Sequence, residues 1–201
     1  AGVSVDPFDT PALREFEAFL AGPGIERGLI GPREADRLWE RHLLNCAVVA
    51  ADSDLVPAEA SVVDVGSGAG LPGVVWALVR PDITVTLVES LQRRSQFLVE
   101  VVEALALGDR VSVLRERAES VPPRQWQVAT ARAVAPLPRL LPWLAPLTTG
   151  SVVAFKGRTA AAEVDEAATV AAGLGLAPGE VLTVGVGVTD PPTTVVRYQR
   201  L

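Results

Sequence analysis

Val62-Val63-Asp64-Val65-Gly66-Ser67-Gly68-Ala69-Gly70-Leu71-Pro72-Gly73 decides the reading of this chain. A short apolar run ends in alternating glycines, and an apolar stretch of helical character, Leu71 to Val79, follows. A strand that turns through glycines into a helix aims backbone amides at whatever lies above the turn. Without Cβ atoms in the way, a ligand can come close. At the carboxyl end of the first strand of an open α/β sheet, such a turn is a nucleotide-binding crevice.

Reading outward, Ile83 to Val88 is strand-like and ends in Glu89, about twenty residues beyond the glycines, where a carboxylate accepts both hydroxyls of a ribose. The glycine spacing is G-x-G-x-G rather than the dinucleotide G-x-G-x-x-G, and Asp64 stands two residues before the first glycine. An acid there repels a diphosphate and suits a cationic amino group. S-adenosylmethionine has an ammonium and a ribose and no phosphate. It is the expected cofactor, with Asp64, Gly66, Ser67, Gly68, Gly70 and Glu89 around it. A dinucleotide oxidoreductase is the competing reading, and a melting-temperature shift with NAD(H) but not S-adenosylmethionine would mark it.

The rest of the chain fits that frame. Leu91 to Leu107 is an amphipathic helix with Phe97, Leu98, Val101 and Leu105 inward, and Val111 to Leu114 and Gln127 to Ala131 are strands. A proline-broken helix, Leu137 to Leu147, precedes a strand at Ser151 to Phe155 and a helix at Ala160 to Leu174. Strands alternating with helices form βαβ units with right-handed crossovers, hence a mostly parallel sheet with helices on both faces. Glu180 to Val188 and Thr193 to Arg200 are separated only by Thr189-Asp190-Pro191-Pro192, which predicts an antiparallel C-terminal hairpin. Residues 1–55 read as a short helical extension and 56–201 as one compact α/β unit. In the extension Thr10 caps a helix, Gly22-Pro23-Gly24 stops it and Pro32 opens a second.

Composition narrows the class. The chain has 201 residues, 49% hydrophobic and 21% charged, enough for a sizeable core. No apolar run reaches the ~20 residues of a membrane span. Ala1 to Asp9 lacks the pattern of a signal peptide, and the single cysteine, Cys46, suits a reducing cytoplasm. The absence of methionine implies a trimmed start. With one histidine and one cysteine, no metal site is expected. The net charge of −6 argues against a long, non-specific grip on nucleic acid without excluding a local basic face. Lys156 is the only lysine; the other basic side chains are arginines, as a GC-rich genome would encode.

An ordered set of short motifs is more specific. Trp39-Glu40-Arg41-His42, the 64–73 loop, Ala118-Glu119, Thr130-Ala131-Arg132-Ala133-Val134-Ala135 and Phe155-Lys156-Gly157 occur in this order and spacing. From about residue 30 onward the chain resembles the RsmG (GidB) family of bacterial 16S ribosomal RNA methyltransferases. The resemblance implies a Rossmann-like class I methyltransferase fold and transfer of a methyl group to N7 of a guanine in the small ribosomal subunit, leaving S-adenosylhomocysteine and 7-methylguanosine. Carried over, the family's cofactor contacts fall on Gly66, Leu71, Ala118, Glu119 and Arg132. The sequence departs from the family at Asn45-Cys46, where an Asp-Ser pair is usual, and at Arg93-Arg94, where lysines are common.

Guanine N7 has an in-plane lone pair and no proton to lose, so the chemistry needs alignment rather than a general base. No acid/base residue is assigned; Arg132 and Lys156 are the positioning candidates. Arg41, His42, Arg93, Arg94, Arg139, Lys156 and Arg158, with Arg132, are the candidates for RNA contacts at the crevice rim. A monomer is expected. The alternatives are a methyltransferase of small molecules and a non-catalytic cofactor-binding ribosome assembly factor.

Overall fold

The computed structural model describes residues 8–201; the stretch read as lacking a signal sequence lies outside them as far as Pro7. Among the described residues seven strands form one sheet: β1 Ser61–Val65, β2 Thr84–Val88, β3 Val111–Leu114, β4 Trp126–Arg132, β5 Thr148–Lys156, β6 Glu180–Val184 and β7 Thr193–Gln199. Their order is β3-β2-β1-β4-β5-β7-β6. The first five are parallel, and β7 runs antiparallel to both β5 and β6. This is the expected sheet with its antiparallel hairpin. The strand order reverses direction between β1 and β4, so the crevice outside their carboxyl ends is the binding position of this architecture.

The helices are α1 Pro11–Phe19, α2 Asn45–Ala50, α3 Gly73–Val79, α4 Gln92–Ala104, α5 Leu137–Leu144 and α6 Ala160–Gly173. Alternation along the strands sorts them onto two faces. Val62 packs with α1 to α4, whereas Val63 and Val65, its neighbours on the opposite pleat, pack with α5 and α6. The first cluster joins Leu13, Phe16 and Leu20 of the N-terminal segment to Val153, Phe155 and Val195 of the sheet, so the helical segment shares its core with the α/β part. Arg80 reinforces the junction: its guanidinium donates to the carbonyls of Ala50 at 3.1 Å and Val56 at 2.9 Å.

Two local expectations change. Thr10 caps α1, its hydroxyl accepting from the Leu13 amide at 3.3 Å. Gly22-Pro23-Gly24 does not stop the helix, which widens into a π turn over Leu20–Gly24 and ends at Gly28, φ +67°. A wider turn accommodates Pro23, which has no N–H to contribute to a tight one. After Pro32 the chain runs as 3₁₀ over Pro32–Arg37 and as π over Leu38–Leu44 before α2. The helix predicted to be broken by proline, α5, carries Pro142 inside its span.

Candidate cofactor and substrate site

The carboxyl ends of β1, β2 and β4 open into a cavity of about 600 Å³. Gly66, Ser67, Gly68, Ala69 and Leu71 line it from the loop, Glu89 from β2 and Arg132 from β4. A second hollow of about 290 Å³ continues over the end of β3, lined by Ala118 and Glu119 and sharing Gly66, Glu89 and Val134 with the first. The loop and two of the three acids expected from sequence, Glu89 and Glu119, therefore meet along one trough. Gly66 has φ +71°, and a Cβ on it would stand 2.9 Å from Val134, so both conformation and space demand glycine.

Glu89 is buried at the trough's centre. One carboxylate oxygen accepts from the Gly68 amide at 3.2 Å, the other from Leu91 at 2.9 Å. Arg94 stands 3.9 Å away. Each oxygen keeps a lone pair for a ligand hydroxyl.

Asp64 and Gly70 do not line the trough; Asp64 is fully buried behind its wall. Its Oδ2 accepts from the Gly73 amide at 3.0 Å and its Oδ1 has no partner. A Cβ on Gly73 would come within 2.8 Å of that Oδ2, so glycine lets helix α3 sit against the acid. Burial pushes the Asp64 carboxyl up to about 7, against the pull of the Gly73 N–H. A carboxylate behind the wall favours a cationic group in front of it, and with Glu89 in the trough the residues fit the ammonium and ribose of S-adenosylmethionine.

Arg132 leaves β4 and turns toward the N-terminal segment. Nη1 donates to the His42 carbonyl at 3.2 Å and to Cys46 Sγ at 3.1 Å; Nη2 donates to the Arg41 carbonyl at 3.1 Å and meets His42 Nδ1 at 2.7 Å. The other ring nitrogen of His42 lies 2.9 Å from Glu34. Burial and the Arg132 charge hold His42 below the usual histidine range, opposed by Glu34, and burial pushes the Cys46 thiol up.

On the far side of Arg132 lies another cavity of about 540 Å³. Arg41, Lys156 and Arg158 line it with Asn45, Phe155 and the Pro191–Thr194 turn. Lys156 is less available than its sequence position suggested: its ammonium donates to the Ala135 carbonyl at 2.7 Å and pairs with Glu163 at 2.8 Å. Arg93 and Arg139 are exposed and line neither cavity, whereas Arg94 lines the cofactor trough. Sequence reasoning gave no site role to Glu34, to Phe155, which it named only as a strand end and within a motif, or to the Pro191-Pro192 turn and the start of β7. The turn's only signal was its position in the predicted hairpin. No group of three or more metal-ligating side chains occurs among the described residues, and none of their helices is long and apolar enough to cross a membrane.

Known proteins give this trough a lineage. The family model described as rRNA small subunit methyltransferase G matches residues 9–187. Proteins called ribosomal RNA small subunit methyltransferase G are similar over most of their length. That of Salinispora arenicola is 54% identical over 194 residues, covering 92% of this chain and 79% of its own. That of Streptomyces avermitilis is 55% identical over 190 residues, covering 92% and 77%. Among solved structures, the magnesium protoporphyrin IX methyltransferase of Synechocystis, with bound S-adenosylmethionine, superposes with a TM-score of 0.63 at 11% identity and covers all of both chains. A SAM-dependent O-methyltransferase of Thermotoga maritima gives 0.59 at 14%, covering 78% of this chain and 64% of its own. Those two likenesses concern the fold, which is that of S-adenosylmethionine-dependent methyltransferases. With a glycine trough of that fold, and half its residues shared with such relatives, the chain is a member of the rRNA small subunit methyltransferase G family.

Proposed function

We propose that this protein transfers the methyl group of S-adenosylmethionine to N7 of a guanine in 16S ribosomal RNA of the small subunit. The observation that carries the reading is the pair of cavities meeting at Arg132: the glycine-loop trough with Glu89 on one side, a cationic cavity without acids on the other. Methyl transfer needs separate places for cofactor and nucleic acid that adjoin, and the two cavities meet that demand.

On the cofactor side, Ala118 and Glu119 border the place for the adenine. Glu89 takes the ribose hydroxyls, the Gly66 to Leu71 loop follows the methionine end, and Asp64, behind the wall, attracts the ammonium through its charge rather than by contact. When bound, S-adenosylmethionine would supply an electrophilic sulfonium methyl to the in-plane lone pair of guanine N7, with S-adenosylhomocysteine as the leaving group that takes the electron pair. No proton moves, so the protein's part is to bind, align and exclude water. Arg41 and Arg158 neutralise RNA phosphate, while Phe155 and Pro192 offer apolar faces to a base taken out of its stack. The role left to Lys156, anchored to Glu163, is to hold the cavity wall.

Tritium-labelled S-adenosylmethionine, incubated with small subunits and separately with naked RNA from cells lacking the enzyme, tests this. Label in 7-methylguanosine, lost in E89A, is the expected result. Tight cofactor binding with no label in any RNA would turn the assignment toward a small-molecule acceptor or an assembly factor without catalysis.

A further inference from the structure

The cofactor trough and the cationic cavity share only Arg132 and Ala133 among their lining residues, so these two form the partition between them. Ala133 has φ +55°, an uncommon conformation for a residue with a Cβ, and it directs the chain away from β4 just after Arg132. The guanidinium is held entirely by uncharged acceptors from residues 41–46, and no acid pairs with it among the described residues. Its charge is left facing the two cavities.

Arginine has donors and no acceptor, so the Nδ1 that faces it must be unprotonated. Nε2 of the same ring then carries the hydrogen, and Glu34 accepts it. The direction of every bond in Arg132–His42–Glu34 is thereby set, with a neutral imidazole in the middle. We infer that this chain is a positioning device for methyl transfer: Glu34 fixes the tautomer of His42, and His42 fixes Arg132 in the partition. The inference rests on the proposed reading of the two cavities. Protonating His42 would turn Nδ1 into a donor facing a guanidinium, and Arg132 would have to move. The charged groups around His42 are Arg132 from β4, Glu34 from the 3₁₀ turn and Arg41 from its own π stretch. The two arginines oppose its protonation and Glu34 favours it.

His42 is the only histidine, so its ring nitrogens can be followed without overlap by ¹⁵N NMR of the untagged protein. Its titration point should rise in R132Q and fall in E34Q. No movement in either variant would overturn the chain of contacts. Activity tests the positioning. Asn places an acceptor where Nδ1 stands, whereas Gln reaches only the Nε2 position. In H42Q kcat should fall about tenfold, the loss of one hydrogen bond to a charged group, with KM for the cofactor within about twofold. H42N should recover most of that loss, and the acid limb of the wild-type kcat profile should be absent from it. Equal kcat values in H42N and H42Q, or an acid limb retained in H42N, would reduce His42 to packing. If the wild-type protein methylates no RNA at all, the functional reading fails, while the NMR titrations still decide the relay.

Discussion

Asp64 carries an unusual burden at the scale of single residues. It is buried, one of its oxygens is unpartnered, and its carboxyl is raised from 3.8 to about 7. A raised carboxyl pKa in the fold means that its stabilising contribution is full below the unfolded value of 3.8 and is lost as pH rises through about 7. The cofactor-free protein should therefore lose melting temperature across that window, and D64N should flatten the loss. A bound ammonium favours the ionised form, so cofactor affinity should climb toward pH 7 and level off above it. D64N should weaken S-adenosylmethionine binding about tenfold, as expected for the loss of a charge acting through the low-dielectric wall of the trough. Calorimetry at pH 6 and pH 8 reads both effects; equal affinities for D64N and wild type would remove Asp64 from the cofactor's reach. Ala133 offers a second test. A133G should raise stability by about 1 kcal/mol, the relief of a left-handed Cβ, and an unchanged melting curve would deny strain there. These side chains also mark where the sequence was informative. The place of Glu89, Gly66 and Gly68 along the trough was readable because strand, turn and helix follow one another locally. Lys156 was not, because the acid that anchors it, Glu163, lies on α6 across a turn of unpredictable course. Nor was the Glu34–His42 contact, which depends on how 3₁₀ and π stretches bring residues eight apart together.

Elements obey the same division. The seven strands and the antiparallel hairpin were legible because short apolar runs, bounded by turn residues, alternate with helical stretches along the chain. The irregular helical segment was less so, because Pro23 is a stop signal in an α-helix and is tolerated within a π turn. Nor does hydrophobic spacing disclose how firmly that segment is attached. Leu13, Phe16, Leu20, Leu38, Leu43 and Leu55 are all buried in the cluster that continues through Val74, Leu87 and Val153. Each such side chain contributes about 1.5–3 kcal/mol on burial, so six of them exceed the margin of about 5–15 kcal/mol of a typical domain near its lower end. A chain begun at residue 56 should thus lack a cooperative thermal transition by circular dichroism. A sharp transition within about ten degrees of the full protein's would show that the α/β part stands alone, since a loss of this size shifts melting by far more. Phe16 adds a functional reason for the attachment: its ring lies 3.2 Å from where a Cβ on Gly70 would stand, so α1 presses on the glycine loop.

On the scale of the whole molecule the difficulty is charge. A protein with net charge −6 must approach a polyanion, and only local cationic surface can make that favourable. Arg41 and Arg158 line the cavity beyond the Arg132 partition; Arg139 is exposed on α5 and lines neither cavity. If RNA enters through the cationic cavity, the two faces must respond differently to neutralisation. Each phosphate contact releases about 0.7 counterion equivalents from single-stranded nucleic acid, so R41Q/R158Q should lower the slope of log K against log salt by about 1.4. The same double variant should bind S-adenosylmethionine as wild type does, because neither arginine lines the trough. R139Q should leave the slope unchanged. Filter binding of a 16S RNA fragment between 50 and 200 mM salt, roughly the range over which such slopes are read, supplies all three numbers. A slope that drops in R139Q and not in R41Q/R158Q would put the RNA on the α5 face, and the cationic cavity would then need another occupant.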